Sequence, residues 1–159
     1  MKRVVFIDVR NATRSQIAET WFNHLANACG EAYSCGTMPA NKMDLRAIKV
    51  MREVGLKIHT HAPKLVNQQA LACADIIVLM GKDINPRAFS PTHIWDFDDL
   101  AGKPIEEVRT LRDKIRVRVQ DLIAEIRAAK KLIALPEELR HSMLSCTIVS
   151  ARKRQSIMP

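Results

Sequence analysis

The chain has 159 residues, of which 47% are hydrophobic and 26% are charged, and it carries a formal net charge of +8. This length suits one domain with a useful core, and the composition is that of a globular protein rather than a disordered one. Because no apolar run approaches the length of a membrane span and only four apolar residues follow the basic start, we expect a cytoplasmic protein without membrane association.

The first predicted elements are a strand, a loop and a helix. Four apolar, β-prone residues at 4–7 predict a short buried strand, and Ser15 opens a helical apolar pattern that runs to Cys29. Backbone N–H groups at such a helix start lack intrahelical partners, and the helix dipole adds partial positive charge there. The loop is therefore suited to a phosphate-like oxyanion, with Arg14 as a forked donor.

The rest of the chain alternates between predicted strands and helices. The patterns predict a strand at 32–35, helices at 45–54 and 65–74, strands at 75–80 and 93–97, and a long helix at 104–129. Strands separated by helices imply right-handed crossovers. We therefore expect an α/β fold of three layers, with a four-stranded parallel sheet and helices on both faces. Ligands bind beyond the carboxyl ends of such strands, which places the first loop and the Asp98-Asp99 turn at one edge.

The second predicted helix has a clear start. Asp44 is a plausible N-cap, and Gly55 is expected to end the helix after Val54. The spacing predicts Leu45, Ile48 and either Met51 or Val54 as its buried face.

Neither the cysteines nor the histidines predict a metal centre. His59 and His61 have a spacing that could ligate a metal, but no third ligand lies near them in the sequence. We therefore expect no metal and no cofactor. The cysteines are scattered without paired metal spacing and are interpreted as free, mostly buried thiols: Cys29, Cys35, Cys73 and Cys146.

The positive charge is concentrated at the end of the chain. From Arg127 onward, seven basic residues face two acidic ones, which accounts for +5 of the net charge. We predict a domain at 1–130 and a basic extension at 131–159. Solvated charge is the interpretation we adopt for the extension, and a nucleic-acid partner with salt-dependent affinity is the alternative. The oligomeric state is not predicted.

The strand, loop and helix start resemble the oxyanion loop of the low-molecular-weight protein tyrosine phosphatase and arsenate reductase family. In that family a strand ends in Cys, five residues follow, and Arg-Ser opens a helix. Arg14-Ser15 and Asn11 match that loop, and Asp99, Ala101 and Gly102 match a turn whose Asp is the general acid. The resemblance covers roughly residues 2–127. The resemblance implies three catalytic positions, which are Asp8, Arg14 and Asp99. It also implies a set of oxyanion-binding positions: Arg10, Asn11, Ala12, Thr13, Arg14 and Ser15.

The resemblance also implies chemistry from which this chain departs. The family uses a Cys thiolate to attack phosphorus, and Asp8 stands at that position here. Arg10 replaces a usual Gly, Thr13 a common second Cys, and Leu100 a Pro. Because these departures occur together, we interpret them as natural divergence after loss of catalysis rather than as an engineered change.

Three hypotheses follow for Asp8. In the first, it forms an ion pair with Arg14 or Arg10 and fills the loop, which gives an inactive phosphatase-like scaffold. In the second, Arg10 offsets Asp8, so that a phosphorylated partner or small oxyanion binds without cleavage. In the third, Asp8 is the nucleophile of an active phosphatase, with a metal held by Asp8 and Asp99 as a variant. Arsenate reduction would need resolving thiols, and the turn after the third strand has no Cys.

Overall fold

The computed structural model describes residues 1–58, 62–134 and 136–137. The strands are β1 (Lys2–Asp8), β2 (Gly30–Gly36), β3 (Ile76–Met80) and β4 (His93–Trp95). The helices are α1 (Arg14–Leu25), α2 (Leu45–Glu53), α3 (Gln68–Ala72) and α4 (Ile105–Ile133). Within these described ranges, the four strands form one parallel sheet in the order β2-β1-β3-β4. The predicted α/β fold with a four-stranded parallel sheet is confirmed.

Helices cover both faces of the sheet because neighbouring side chains of a strand point in opposite directions. In β1, Ile7 belongs to a buried cluster against which Leu71 of α3 packs. Phe6 points to the other face, where its ring centroid lies 6.1 Å from that of Phe22 in α1. The central strand is therefore apolar from Val4 to Ile7, as the part of a strand that is buried on both faces must be.

All four strands end at the same edge. Ile7 of β1 pairs with Leu79 of β3, and Met80 of β3 pairs with Trp95 of β4. The loops that follow β1, β2, β3 and β4 consequently meet beyond these carboxyl ends, where open α/β sheets bind ligands.

Two predicted helices are shorter than expected. Helix α1 ends at Leu25 instead of Cys29, because Asn27 has a φ of 51° and opens a single 3₁₀ turn. Helix α3 begins at Gln68 instead of Leu65, whose backbone forms a parallel bridge with Gly36. In both cases the backbone departs from the helical pattern that the apolar spacing indicated, through a positive φ at Asn27 and through the bridge from Leu65 to Gly36.

The predicted buried face of α2 was wrong in part. The cap is as expected, since the Asp44 side chain accepts a hydrogen bond from the Arg46 amide. However, Leu45 is 78% exposed, and the residues fully buried are Ala47, Val50 and Met51. Apolar residues occur on both sides of this helix, so periodicity alone did not distinguish its inner face.

The chain divides into two units, Met1–Ile123 and Ala124–Pro159. The sheet and its edge belong to the first. Of the second, the structure describes the end of α4 and residues 134, 136 and 137, so the predicted boundary at 130 stays a prediction. His59, His61 and most of the basic extension lie outside the described residues. Among the helices that are described, none has the length and apolar character to cross a bilayer.

Candidate functional site

Asp8 is the last residue of β1 and lies buried beneath the loop that joins β1 to α1, with 2% of its surface exposed. Its Oδ1 accepts a hydrogen bond from the Asn11 amide at 2.5 Å, and its Oδ2 accepts one from the Ser15 amide at 3.0 Å. Helix α1 has no acidic residue in its first turn, and Thr13 provides no side-chain cap. Asp8 therefore supplies the carboxyl group that caps this helix start from outside the helix.

The expected ion pair between Asp8 and Arg14 or Arg10 is wrong. The Arg14 guanidinium instead pairs with Asp83 at 2.9 Å and donates to the Phe97 carbonyl at 2.8 Å. Arg10 approaches Asp99, with 4.0 Å between Nη1 and Oδ2. Among the described residues, no Lys or Arg pairs with Asp8. Its oxygens face the nearby backbone amides, which are closer donors than either arginine.

Burial raises the pKa of Asp8 above the ordinary value of 3.8. The amides of Ser15 and Asn11 and the positive charge of Arg14 lower that pKa, but they do not offset the loss of hydration. The group at the base of the loop is therefore an acid whose proton is held more tightly than that of an exposed Asp.

Asn11 fixes the shape of the loop. Its φ of 47° lies in the left-handed region, and its side chain is fully buried. Its Nδ2 donates to the hydroxyls of Ser15 and Ser34, and its Oδ1 accepts from the Lys64 amide and the Gln16 side chain. These four bonds hold the backbone in the bend that presents two amides to Asp8.

A polar network continues below Asn11. The Ser34 hydroxyl is hydrogen-bonded to the Glu19 carboxylate, which also pairs with the Lys64 ammonium at 3.2 Å. The same ammonium lies 4.0 Å from the centroid of the Tyr33 ring. The loop thus rests on groups that are hydrogen-bonded or paired, as buried polar groups require.

A cavity of about 300 Å³ opens at the carboxyl edge of the sheet. The predicted site residues that line it are Asp8, Arg10, Ala12, Thr13, Arg14 and Asp99. Asn11 and Ser15 are fully buried and do not line it. Six lining residues were not predicted as site residues: Ala40, Lys42, Asp44, Arg46, Ala101 and Gly102.

The missed residues had a usable signal. Ala40, Lys42 and Arg46 follow the carboxyl end of β2, and Asp83 follows that of β3, which is the edge where ligands bind in this architecture. The sequence could not predict the pairing of Asp83 with Arg14, because this pair joins the first residue of α1 to the loop after β3, 69 positions later.

Asp99 lies at the mouth of the cavity with a side chain 48% exposed. Its Oδ1 accepts a hydrogen bond from the Ala101 amide at 3.1 Å, which fixes the turn after β4. Within the described ranges, no group of three or more His, Cys, Asp or Glu side chains is arranged to hold a metal ion. The hypothesis of a metal held by Asp8 and Asp99 therefore gains no third ligand.

Three of the four cysteines belong to the described part of the chain. Cys29, Cys35 and Cys73 are free, but only Cys35 is buried, so the expectation of mostly buried thiols was wrong for the described residues. Burial raises the pKa of Cys35 to about 12, with a further contribution from the nearby Asp8 charge. No described cysteine lines the cavity. Cys146 lies outside the described residues.

Comparison with known proteins identifies related chains along most of the length. The family profile described as "Low molecular weight phosphotyrosine protein phosphatase" matches residues 3–132. An "Arsenate reductase 2" of Staphylococcus epidermidis is 34% identical over 125 residues, which cover 75% of this chain and 94% of the relative. An arsenate reductase of Staphylococcus aureus is 31% identical and covers 76% and 95%.

Solved structures also resemble this chain. "An arsenate reductase in the phosphate binding state" is 30% identical, with a TM-score of 0.72, and the match covers 79% of this chain and 99% of that one. An arginine phosphatase of Geobacillus stearothermophilus has a TM-score of 0.74 at 20% identity, covering 86% and 99%. The second similarity shows the fold alone.

Proposed function

Since the chain belongs to the low molecular weight phosphotyrosine protein phosphatase family, we propose that Asp8 replaces the family's nucleophilic Cys and that the domain is catalytically inactive. The observation that carries this proposal is that the Asp8 side chain itself occupies amides of the loop. The Asp8 carboxyl group accepts hydrogen bonds from the Asn11 and Ser15 amides. A side chain of the chain itself therefore occupies two amides of the loop that resembles the family's oxyanion loop.

The chemistry of a carboxylate supports inactivity. Both Asp8 oxygens are engaged by amides, and a carboxylate is a weaker nucleophile than a thiolate. When Asp8 is ionised it also repels an incoming phosphate. Two unit negative charges 4 Å apart at an effective dielectric near 20 interact unfavourably by about 4 kcal/mol. That repulsion would remove most of a millimolar affinity.

The residues around Asp8 also support inactivity. Arg14, the cation expected to clamp the oxyanion, is engaged by Asp83 and the Phe97 carbonyl. Arsenate reduction is disfavoured as well, because it needs thiols close to the oxyanion and no described cysteine lines the cavity. These observations support a phosphatase-like domain that does not catalyse the family's reaction.

Replacing Asp8 by Cys tests the proposal. We expect no hydrolysis of an aryl phosphate by the wild type and measurable turnover by Asp8→Cys, because the variant restores a thiolate to a loop that is otherwise intact. Asp8→Ser is the matched control, because serine is similar in size to cysteine but has no thiolate. We expect this variant to stay inactive.

Two outcomes would overturn the proposal. Hydrolysis by the wild type would mean that Asp8 is itself a nucleophile, and the enzyme should then accumulate an aspartyl phosphate during turnover. If Asp8→Cys is also inactive, with its fold confirmed by circular dichroism, the domain is still inactive, but the assignment of that inactivity to Asp8 is overturned.

A further inference from the structure

The mouth of the cavity carries cationic side chains that the loop does not use. Arg10, Lys42 and Arg46 line the cavity, together with two carboxylates, Asp44 and Asp99. From these side chains we infer an anion-binding subsite at the mouth, which binds the phosphate group of a phosphate monoester or free phosphate. This inference rests on the proposed function, because it assumes that Asp8 keeps the deeper loop amides occupied.

Lys42 is the cation most available to a ligand. It is exposed, and among the described residues its ammonium makes no ion pair or hydrogen bond. A lysine side chain of this kind reaches an oxyanion without first breaking another contact, so the cost of binding is limited to ordering the side chain.

Arg10 is held only weakly. Its Nη1 lies 4.0 Å from Oδ2 of Asp99, which is too long for a hydrogen bond, and both side chains are about half exposed. Exposed pairs of this kind contribute little, so a phosphate can compete with Asp99 for the guanidinium. Arginine also matches the geometry of phosphate with two parallel N–H groups.

The Arg46 guanidinium is held in place by hydrogen bonds. Its Nε and Nη2 bind the two oxygens of Asp44 at 3.0 and 2.6 Å, and its Nη1 donates to the Lys103 carbonyl. A guanidinium has five N–H donors, so one hydrogen on each Nη remains for a ligand. Asp44 is fixed in turn by the Thr13 hydroxyl at 3.1 Å. The subsite therefore combines one arginine that is held by several hydrogen bonds with two exposed cations that are held weakly or not at all.

A titration of the full chain with inorganic phosphate and with phenyl phosphate, followed by amide NMR, tests this inference. We expect millimolar binding that shifts the amides of Lys42, Ala101 and Gly102 and leaves those of Asn11 and Ser15 unchanged. Lys42→Ala should weaken binding by about tenfold, the loss typical of one charge-assisted contact. Lys49→Ala is the matched control, since Lys49 is exposed on α2 and does not line the cavity, and it should bind as the wild type does.

The outcomes separate this inference from the proposed function. Tighter binding of phenyl phosphate identifies an ester as the ligand, tighter binding of phosphate identifies the free anion, and both support the subsite. Shifts centred on Asn11 and Ser15, with no effect of Lys42→Ala, would overturn both proposals because the phosphate would lie in the loop. Absence of binding by the wild type, with turnover by Asp8→Cys, would overturn the subsite alone.

Discussion

At the scale of single residues, the protonation of Asp8 links the loop to stability. Burial raises its pKa in the folded protein, so the folded state binds more protons than the unfolded state at pH values above 3.8. Stability due to this group is therefore fully present below pH 3.8 and is lost as the pH rises towards the folded pKa. Each unit of pKa increase corresponds to about 1.4 kcal/mol.

Asp8→Asn isolates this effect because the amide side chain does not titrate. Asn has one acceptor oxygen instead of two, which adds an offset that does not depend on pH. We expect the unfolding free energy of the wild type, relative to that of Asp8→Asn, to fall as the pH rises above about 4. Urea unfolding of both proteins across a pH series measures it. A difference that increases with pH would mean that the amides, not burial, dominate the pKa of Asp8.

At the scale of elements, the bend between β1 and α1 depends on Asn11. Its backbone is left-handed, and its amide makes four hydrogen bonds with buried or partly buried partners. Asn11→Ala removes those four bonds, each worth about 0.5–1.5 kcal/mol, and takes away the acceptor of the Lys64 amide. We expect a loss of at least about 3 kcal/mol in the free energy of unfolding, measured by urea denaturation near neutral pH.

Asn27→Ala is a matched control for the backbone term. Asn27 also has a positive φ, of 51°, but it lies exposed at the end of α1. The left-handed conformation costs an alanine about 1–2 kcal/mol, so Asn27→Ala should lose no more than that. Equal losses for the two variants would show that the Asn11 network contributes nothing beyond backbone conformation.

At the scale of the whole molecule, the sequence predicted the order of the elements and the shared edge of Asp8 and Asp99. Both follow from local patterns and from the geometry of parallel sheets. It did not predict that Arg14 pairs with Asp83, or which face of α2 is buried, because each depends on where distant segments lie. Local periodicity determines that an element forms, whereas its partners are set by packing between elements.

The division of the chain at residue 130 is the last prediction at this scale. The sheet, the loop and the cavity all lie within Met1–Ile123, and the family profile ends at residue 132. A chain of residues 1–130 should therefore unfold with a free energy within about 0.5 kcal/mol of the full chain, as changes outside the packed core usually do. It should also bind phosphate with unchanged affinity, since it keeps every residue that lines the cavity.

A chain of residues 1–110 calibrates the same measurement. Burying an apolar side chain of this size contributes about 1.5–3 kcal/mol. This shorter chain lacks six buried apolar residues of α4: Leu111, Ile115, Val119, Leu122, Ile123 and Ile126. We expect this shorter chain to be largely unfolded, because native domains are stable by only about 5–15 kcal/mol. If the 1–130 chain loses more than about 1 kcal/mol as well, residues 131–159 belong to the folded domain and the boundary must move.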